Sequence, residues 1–388
     1  MNAWVTLITF YVLVQNFGLA ACVSWLGRER GLRWTTVASF SWATLMFGLF
    51  ILQAVQPSHL QSFFDAAYFL FAIEMAWNVL LIQVVFPLIL LVVIVARWRK
   101  SRRRNLPEPE GISRRRFLYL VGCGAVPATA IAMGVHGGMT RFDLRRRDFT
   151  IPIAGLPAEM EGFTIAHVSD LHSGLFVGER RLKIITDATN DLKADMIALT
   201  GDLINREMTE FPAALAAIQR MKAPLGVFVC EGNHDVIPGP GLVVNACAEN
   251  HLSVLYNNCL GLRVRGHRLL LGGISWELTH LMAAHPDMVT KLFPARQPGD
   301  IRILFAHHPH LFDIAQSADL VLSGHTHGGQ IMFGENEGLG RIRFKYCSGL
   351  FQRDTTSLVV SNGAGDWFPC RIGAPAEVGL IRLTRANT

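Results

Sequence analysis

The stretch FTIAHVSDLH, residues Phe163 to His172, contains the pattern on which the fold depends. A mostly apolar run of six residues is followed directly by a serine and then by two side chains of metal-ligand type, Asp170 and His172. A short apolar run bounded by polar residues predicts a buried β-strand. Ligands in open α/β sheets bind beyond the carboxyl ends of the strands, so this strand is predicted to end at a functional site.

The same pattern recurs through the remainder of the chain after Arg147. Three helices are predicted between strands, at Gly178–Leu192, Glu210–Met221 and Gly241–Asn250. The predicted strands are Phe163–Val168, Met196–Leu199, Gly226–Cys230, Ser253–Tyr256, Leu262–Val264, Leu269–Ile274, Ile301–Ala306, Leu320–Leu322, Leu358–Val360 and Val378–Leu383. Alternation of strands and helices indicates an α/β fold with substantial parallel pairing.

Polar clusters follow four further predicted strands. They are Gly201-Asp202, then Gly232-Asn233-His234-Asp235, then His307-His308-Pro309, and then Gly324-His325-Thr326-His327. Carboxylate and amide oxygens mixed with imidazoles suit Mn, Fe or Zn. The set is too large for one ion and suits two divalent metal ions that share a carboxylate at a separation of ~3.5–4 Å.

Taken in order, the motifs D-x-H, GD, GNHD, H and GHTH resemble those of the calcineurin-like metallophosphoesterase superfamily. The ending GHTHGGQI and the apolar start of the chain are similar to its YkuE-type membrane-anchored branch. The resemblance covers about Phe149 to Leu383. It implies a metal-dependent phosphoesterase with a four-layer α-β-β-α sandwich, two mixed sheets between helices.

The resemblance also implies a role for each motif residue. Asp170, His172 and His327 would hold one metal ion, Asn233, His307 and His325 would hold the other, and Asp202 would bridge the two. A metal-bridged hydroxide would attack phosphorus. His234 and Asp235 are the predicted catalytic residues: His234 would face the phosphate and stabilise charge or protonate the leaving oxygen, and Asp235 would orient it.

Three assignments stay open at this point. The family pattern of one histidine, a variable residue and proline favours His307 over His308 as the ligand. Asn205 is a candidate for a supporting contact, and Asn362 is either a substrate contact or part of a strand-ending turn. Substrate specificity is expected in two long loops, Trp276–Arg296 and Gly334–Thr356.

The first third of the chain is apolar. Hydrophobic residues make up 51% of the sequence and charged residues 17%, below the ~25% that is usual in soluble domains. Four uncharged stretches near residues 3–26, 34–56, 75–96 and 117–138 predict an all-α transmembrane region of about four helices within residues 1–140. A basic linker at 141–148 and a phosphoesterase domain at 149–388 would follow. A fifth span at Leu60–Ile73 would invert the topology.

The net charge of +6 is concentrated in one loop. Between Arg97 and Arg116, nine basic and two acidic residues give +7, so the remainder sums to −1 and a nucleic-acid footprint is not expected. The positive-inside rule places that loop in the cytoplasm and the catalytic domain outside it, at a bacterial inner or cell membrane. The sequence Ser113–Leu118 resembles a twin-arginine export signal, the alternative being a positively charged anchor.

These observations predict a membrane-anchored hydrolase that uses two metal ions on a phosphomonoester, phosphodiester or pyrophosphate, in contact with membrane lipids and acting on a lipid-linked substrate. One alternative is a UDP-diacylglucosamine-type pyrophosphate hydrolase at the cytoplasmic face. The other is a non-catalytic membrane module for binding or sensing. The seven cysteines show no zinc-finger spacing and leave a single disulfide open.

Overall fold

The computed structural model describes residues 136–281, 287–334, 337–368 and 370–386. They belong to the second of two units into which the chain divides, His136–Thr388. The four predicted membrane spans lie outside these residues, except for the last three positions of the fourth. Within the described ranges, no helix combines the length and apolarity that a bilayer crossing requires.

Residues 136–140 are helical, and five α-helices and fourteen strands follow them among the described residues. The helices are α1 (Glu179–Asp191), α2 (Phe211–Gln219), α3 (Leu242–Glu249), α4 (Trp276–Leu281) and α5 (Asp287–Leu292). The strands are β1 (Leu144–Ile153), β2 (Thr164–Val168), β3 (Met196–Thr200), β4 (Val227–Cys230), β5 (Ser253–Val254), β6 (Asn258–Val264), β7 (His267–Ile274), β8 (Ile301–Ala306), β9 (Leu320–Ser323), β10 (Met332–Gly334), β11 (Glu337–Gly338), β12 (Gly349–Arg353), β13 (Thr356–Val360) and β14 (Ala376–Arg385).

Two six-stranded mixed sheets carry the fold. The first has the order β1-β14-β2-β3-β4-β5, and the second has the order β12-β13-β9-β8-β7-β6. In the first sheet, β2, β3, β4 and β5 pair in parallel, and in the second, β7, β8, β9 and β13 do so. The parallel strands therefore bring their carboxyl ends to one edge of each sheet.

Alternation along the strands divides the apolar side chains among three cores. In β3, Met196 and Ala198 join the core between the two sheets, whereas Ile197 and Leu199 join the core beneath helices α1 to α3. A third core lies between the second sheet and the segment that includes α5. Three cores separate four layers, which is the α-β-β-α order that the family resemblance implies.

The strand β1 begins within the segment predicted as a basic linker. Residues 144–148 form the first half of β1, which pairs in parallel with β14 at the edge of the first sheet. The sequence pattern hides this strand because Arg145, Arg146 and Asp148 are exposed on it. Charged residues are a common feature of edge strands, where they discourage pairing with other chains.

The cysteines of the described residues are free thiols. Cys230, Cys247 and Cys347 are buried, and Cys259 and Cys370 are half-buried. Buried thiols behave as small apolar side chains. The disulfide that the sequence leaves open therefore does not form among these five.

Candidate metal centre

The seven predicted ligands come together at the carboxyl ends of five parallel strands. Asp170 and His172 follow β2, Asp202 follows β3, Asn233 follows β4, His307 follows β8, and His325 and His327 follow β9. The first three strands belong to one sheet and the last two to the other. A hydrogen-bond-length contact of 2.6 Å between His307 Nδ1 and the Thr200 carbonyl ties the two edges together.

The first cluster consists of Asp170, His172 and His327, all fully buried. His327 Nε2 lies 3.1 Å from Asp170 Oδ1, and His172 Nε2 lies 3.7 Å from the same oxygen. The two imidazole Nε2 atoms are 3.1 Å apart. Three potential donor atoms thus converge on one small volume.

The second cluster is built around the Asn233 side-chain oxygen. Asn233 Oδ1 lies 3.1 Å from His307 Nε2 and 2.6 Å from His325 Nδ1. His307 is buried and His325 is half-buried. The structure therefore brings together the three side chains that the sequence assigns to a second ion.

Asp202 lies between the two clusters. Its Oδ2 atom is 3.5 Å from His172 Nε2 and 3.2 Å from His307 Nε2. Its Oδ1 atom accepts a hydrogen bond of 2.8 Å from the His234 backbone N–H. One carboxylate oxygen therefore faces both sets of imidazoles, as a bridging ligand requires.

The donor set fits divalent metal ions. Groups of donor atoms within 4.8 Å of one another occur at Asp170-His172-His327, at Asp202-His307-His325 and at His172-Asp202-His234. The Nε2 atoms of His172 and His307 face carboxylate oxygens across a shared space. Mixed nitrogen and oxygen donors at this density are the ligands that Mn, Fe and Zn take in proteins.

Five of the seven predicted ligands have left-handed backbone conformations. Their φ angles are 57° for Asp170, 46° for His172, 55° for Asp202, 70° for His325 and 50° for His327. Positive φ is uncommon for residues other than glycine, and such strain clusters at functional sites. The surrounding loops hold the backbone there because each turn must aim its side chain back toward the sheet edge.

Two glycines of the motifs permit close approach of the ligand-bearing turns. A Cβ atom at Gly324 would overlap the side chains of Ser169 and Asp170, and one at Gly232 would overlap Asp202. Glycine is the residue that lets backbone pass this close to another group. The glycines of the GNHD and GHTH motifs therefore serve to bring the turns together.

Charge pairing dominates the acid–base behaviour of the centre. Burial would lower the pKa of His307, but the Asp202 carboxylate more than offsets it and raises that pKa to about 10. Burial would likewise raise the pKa of Asp202, but His307 and His172 hold it well below its usual range. Burial and the nearby His307 charge lower the pKa of His325 to about 3.

Asp235 and the His234 ring have different hydrogen-bond partners in the structure, and the orienting role of Asp235 stays a prediction. The buried Asp235 carboxylate accepts backbone N–H bonds from Leu203 at 2.9 Å, from Ile204 at 3.3 Å and from Gly232 at 2.9 Å. The contact to the His234 ring comes instead from the Asn205 carbonyl, 2.5 Å from Nδ1. The sequence singles out Asn205 and Asp235, but it does not show how they act. Asn205 contacts the His234 ring through its backbone carbonyl, and the Asp235 carboxylate links the loops after β3 and β4.

His307 and His308 lie in different surroundings. His307 points into the second cluster, whereas His308 is half-buried and contacts the exposed His310. The His308 ring lies 5.7 Å from the Trp276 ring and 6.0 Å from the Phe344 ring. This placement supports His307 as the ligand and puts His308 in the wall beside the site.

Both predicted specificity loops contribute an aromatic side chain to that wall. The Trp276 ring lies 5.0 Å from the His325 ring, and the Phe344 ring lies 5.5 Å from it. Trp276 begins α4, and its backbone N–H donates to Glu231 at 3.1 Å. The sequence locates these loops but does not single out the two rings, because isolated aromatics carry no spacing signal.

Comparison with known proteins identifies similar chains. Residues 163–329 match the family model described as calcineurin-like phosphoesterase. A metallophosphoesterase of Helicobacter pylori is 30% identical over 225 residues, 57% of this chain and 59% of that protein. YkuE of Bacillus subtilis, also a metallophosphoesterase, is 29% identical over 294 residues, 71% of this chain and 99% of that protein.

A Danio rerio protein whose name is transmembrane protein with metallophosphoesterase domain is 29% identical over 260 residues. That match covers 62% of this chain and 57% of the Danio rerio protein. The chain thus spans less than two thirds of the length of the Helicobacter pylori and Danio rerio relatives.

Proposed function

We infer that this domain, which belongs to the calcineurin-like metallophosphoesterase superfamily, is the catalytic part of a membrane-anchored hydrolase that acts on a lipid-linked phosphoester or pyrophosphate. The observation that carries the proposal is the position of Asp202 Oδ2 between His172 Nε2 and His307 Nε2. Two bound cations would supply activation of water and neutralisation of phosphate charge.

The residues of this chain have defined tasks in that reaction. The two buried clusters on either side of Asp202 fix the position of the phosphate relative to the sheet edge. His234 stands beside them, with its ring 4.5 Å from that of His172. Because the Asn205 carbonyl can only accept a hydrogen bond, Nδ1 of His234 carries the proton there.

That tautomer leaves the Nε2 atom of neutral His234 with a free electron pair directed away from the Asn205 carbonyl. Burial lowers the pKa of His234, so the ring is neutral near pH 7. Protonation at Nε2 would make it a donor to the leaving oxygen. A protonated His234 is therefore expected to matter most for substrates whose leaving group is a poor one.

The membrane part of the proposal rests on the apolar first third of the sequence and on the name of the Danio rerio relative. A domain fixed to a bilayer meets lipid-linked substrates at high local concentration. The predicted charge pattern of the loops places the domain on the extracytoplasmic side.

A hydrolysis screen tests the proposed activity. Full-length protein in detergent, supplemented with Mn²⁺, is offered lipids with phosphomonoester, phosphodiester and pyrophosphate bonds. We expect turnover of at least one class, and none with Asp202→Ala. Equal rates for the two proteins would show that the activity does not belong to this site, and no turnover of any class would favour the non-catalytic module.

A pair of reporter fusions tests the sidedness. Alkaline phosphatase fused after Thr388 is expected to be active. Green fluorescent protein fused at the same position is expected to be dark if the fusion is exported by the general secretion route. The opposite pair would place the domain in the cytoplasm. The fifth span at Leu60–Ile73 and a nucleotide-linked lipid substrate would then be the better explanation.

A further inference from the structure

Arg371 is completely buried beside the first cluster. Its Nε atom donates to Asp366 Oδ1. Its Nη1 atom donates to the Asn362 carbonyl at 2.8 Å and the Ala374 carbonyl at 3.1 Å. Removing an arginine from water costs substantial desolvation, which the carboxylate and the carbonyls offset here.

The other terminal nitrogen of Arg371 reaches a predicted metal ligand. Nη2 lies 3.2 Å from His327 Nδ1, and it donates to the Gly365 carbonyl at 2.6 Å. The opposite ring nitrogen of His327, Nε2, is the atom that faces Asp170. A guanidinium can only donate, and a histidine that binds a metal through Nε2 carries its proton on Nδ1, so this close contact is not a hydrogen bond that orients the ligand. The ring is supported instead by Gly363, whose carbonyl accepts from Nη2 at 3.3 Å. A Cβ atom at Gly363 would lie 3.0 Å from His327 Nδ1 and 2.9 Å from Asp170 Cβ.

The loop that Arg371 holds, residues 362–366, also packs on the first cluster. The Gly365 backbone N–H donates to the Asp170 carbonyl at 2.8 Å, and the Ala364 N–H donates to the Ser169 carbonyl at 2.9 Å. Through this loop, one guanidinium thus supports both Asp170 and His327. Neither contact involves the second cluster.

The Arg371 backbone is held by the segment at 137–141, which is helical as far as Thr140 and lies at the start of the described residues. The Arg371 backbone N–H donates to the Gly137 carbonyl at 3.0 Å, and the Thr140 hydroxyl donates to the Arg371 carbonyl. Arg141 Nε lies 3.7 Å from Asp366 Oδ2, on the carboxylate that also pairs with Arg371. This segment therefore contacts both members of the buried ion pair.

We propose that Arg371 is a positioning residue for the Asp170-His172-His327 cluster, and that the segment at 137–141 seats it. This inference rests on the metal centre of the proposed function. By this proposal, the affinity for one of the two ions depends on a side chain outside the ligand set, Arg371. It also depends on the segment at 137–141, which follows the N-terminal part of the chain. A group that supports a metal ligand typically changes metal affinity by ~10–100-fold when it is removed.

Titration of the full-length protein with Mn²⁺ tests the proposal, with free Mn²⁺ measured by electron paramagnetic resonance. For Arg371→Met we expect one of the two affinities to fall by ~10–100-fold and the other to keep its wild-type value. Arg371→Lys keeps the charge without the fork of donors, and we expect a smaller fall in the same affinity. Two wild-type affinities in Arg371→Met would overturn the proposal.

The matched control for loss of a buried arginine is Arg302→Met. Arg302 is 5% exposed and bonds to the Pro294 and Ser317 carbonyls, at the opposite end of β8 from His307. We expect it to lower the temperature of unfolding but to keep both Mn²⁺ affinities. If both arginine variants lost the ions equally, the role of Arg371 would be purely structural and the proposal would be wrong.

Two neighbouring glycines, Gly137 and Gly138, test the role of the segment at 137–141 without changing a residue of the metal centre. They also test the proposal if Arg371→Met does not fold. A Cβ atom at Gly137 would overlap the Cys370 sulfur, whereas one at Gly138 has no neighbour within 4 Å. We expect Gly137→Ala to weaken the same Mn²⁺ affinity as Arg371→Lys and to speed hydrogen exchange of residues 362–366 in the metal-free protein. Gly138→Ala should do neither, and identical behaviour of the two alanine variants would refute the seating role.

Discussion

The Oδ2 atom of Asp202 lies 3.2 Å from Nε2 of His307, and this contact joins the ends of strands from two different sheets. The two side chains are buried, and each shifts the pKa of the other toward its charged form. Because Asp202 also faces His172, loss of its carboxylate removes a contact from both clusters at once.

We therefore expect Asp202→Ala to abolish hydrolysis and to lower the content of both metal ions. Metal analysis by inductively coupled plasma mass spectrometry after desalting measures the second effect. Asn233→Ala is the matched comparison, because its side-chain oxygen faces the second cluster only. If Asp202→Ala and Asn233→Ala each lost only one ion, Asp202 would not be the ligand that bridges the two ions.

A second prediction separates the two adjacent histidines. His307→Ala is expected to weaken binding of one ion strongly, since its Nε2 atom contacts Asp202 and Asn233. His308→Ala is expected to keep both ions and to change KM more than kcat, since its ring lies in the aromatic wall with Trp276 and Phe344. The reverse result in a metal titration would move the ligand assignment by one residue.

A third prediction concerns His234. His234→Asn should keep both metal ions and slow turnover by ~10²–10⁴, the usual contribution of a general acid or base. In the wild type, kcat for a substrate with a poor leaving group should rise as the pH falls from about 8 toward 6, because burial lowers the pKa of His234 below its ordinary value. Loss of an ion from His234→Asn would instead make it a ligand in the His172-Asp202-His234 group.

A fourth prediction links stability to pH through His167. This side chain is fully buried on β2, and burial lowers its pKa to about 4. The unfolded chain, with a histidine pKa of about 6.5, binds a proton more readily than the folded one. Stability is therefore lost as the pH falls from about 6.5 to 4, by about 3 kcal/mol for this group.

Thermal unfolding of the wild type and His167→Gln measures that effect. Glutamine can still bond the Thr200 hydroxyl, which lies 2.9 Å from His167 Nε2, but it does not titrate. We expect the fall in midpoint between about pH 7 and pH 4 to be smaller in the variant. Parallel curves for the two proteins would contradict the prediction.

The last prediction concerns the four arginines of the segment predicted as a basic linker, 141–148, which would lie near the lipid surface if the domain is membrane-anchored. Arg141 and Arg147 are turned toward Asp366 and Glu377, whereas Arg145 and Arg146 are exposed. Arg145→Gln with Arg146→Gln should reduce activity on anionic liposomes only, since each basic residue near such a surface contributes ~1 kcal/mol of attraction. Arg141→Gln should lower the unfolding temperature. If Arg145→Gln with Arg146→Gln lost as much activity on a soluble phosphodiester as on liposomes, the exposed pair would act through the stability of the domain and not through lipid binding.

Sequence patterns predict well the parts of this molecule in which a signal is local. The strands β2, β3, β4, β8 and β9 are mostly apolar runs followed by ligand-type residues. The order of those motifs predicts the superfamily, and the family match over residues 163–329 agrees with it. The two-metal cofactor agrees with the paired clusters around Asp202. Position along a parallel strand is enough to bring these residues to one edge.

Contacts made through backbone groups are beyond such reasoning. Arg371 bonds to carbonyls of a loop that packs on a predicted ligand 44 positions earlier in the chain, His327. Nothing in its neighbours in the sequence marks it as different from the other arginines. The same holds for the Asn205 carbonyl and for β1, whose charged first half looks like a linker until β14 pairs with it.

The left-handed conformations of Asp170, His172, Asp202, His325 and His327 bear on how this chain can change over time. Each such residue that is not glycine costs about 1–2 kcal/mol. The five together are comparable to the whole stability of an ordinary domain, ~5–15 kcal/mol. A duplicate of this protein that no longer needed to be active would become more stable if these residues were replaced with glycine. Activity and stability therefore compete at these five positions. In a non-catalytic relative that bound no metal, the five side chains would be the ones expected to be lost.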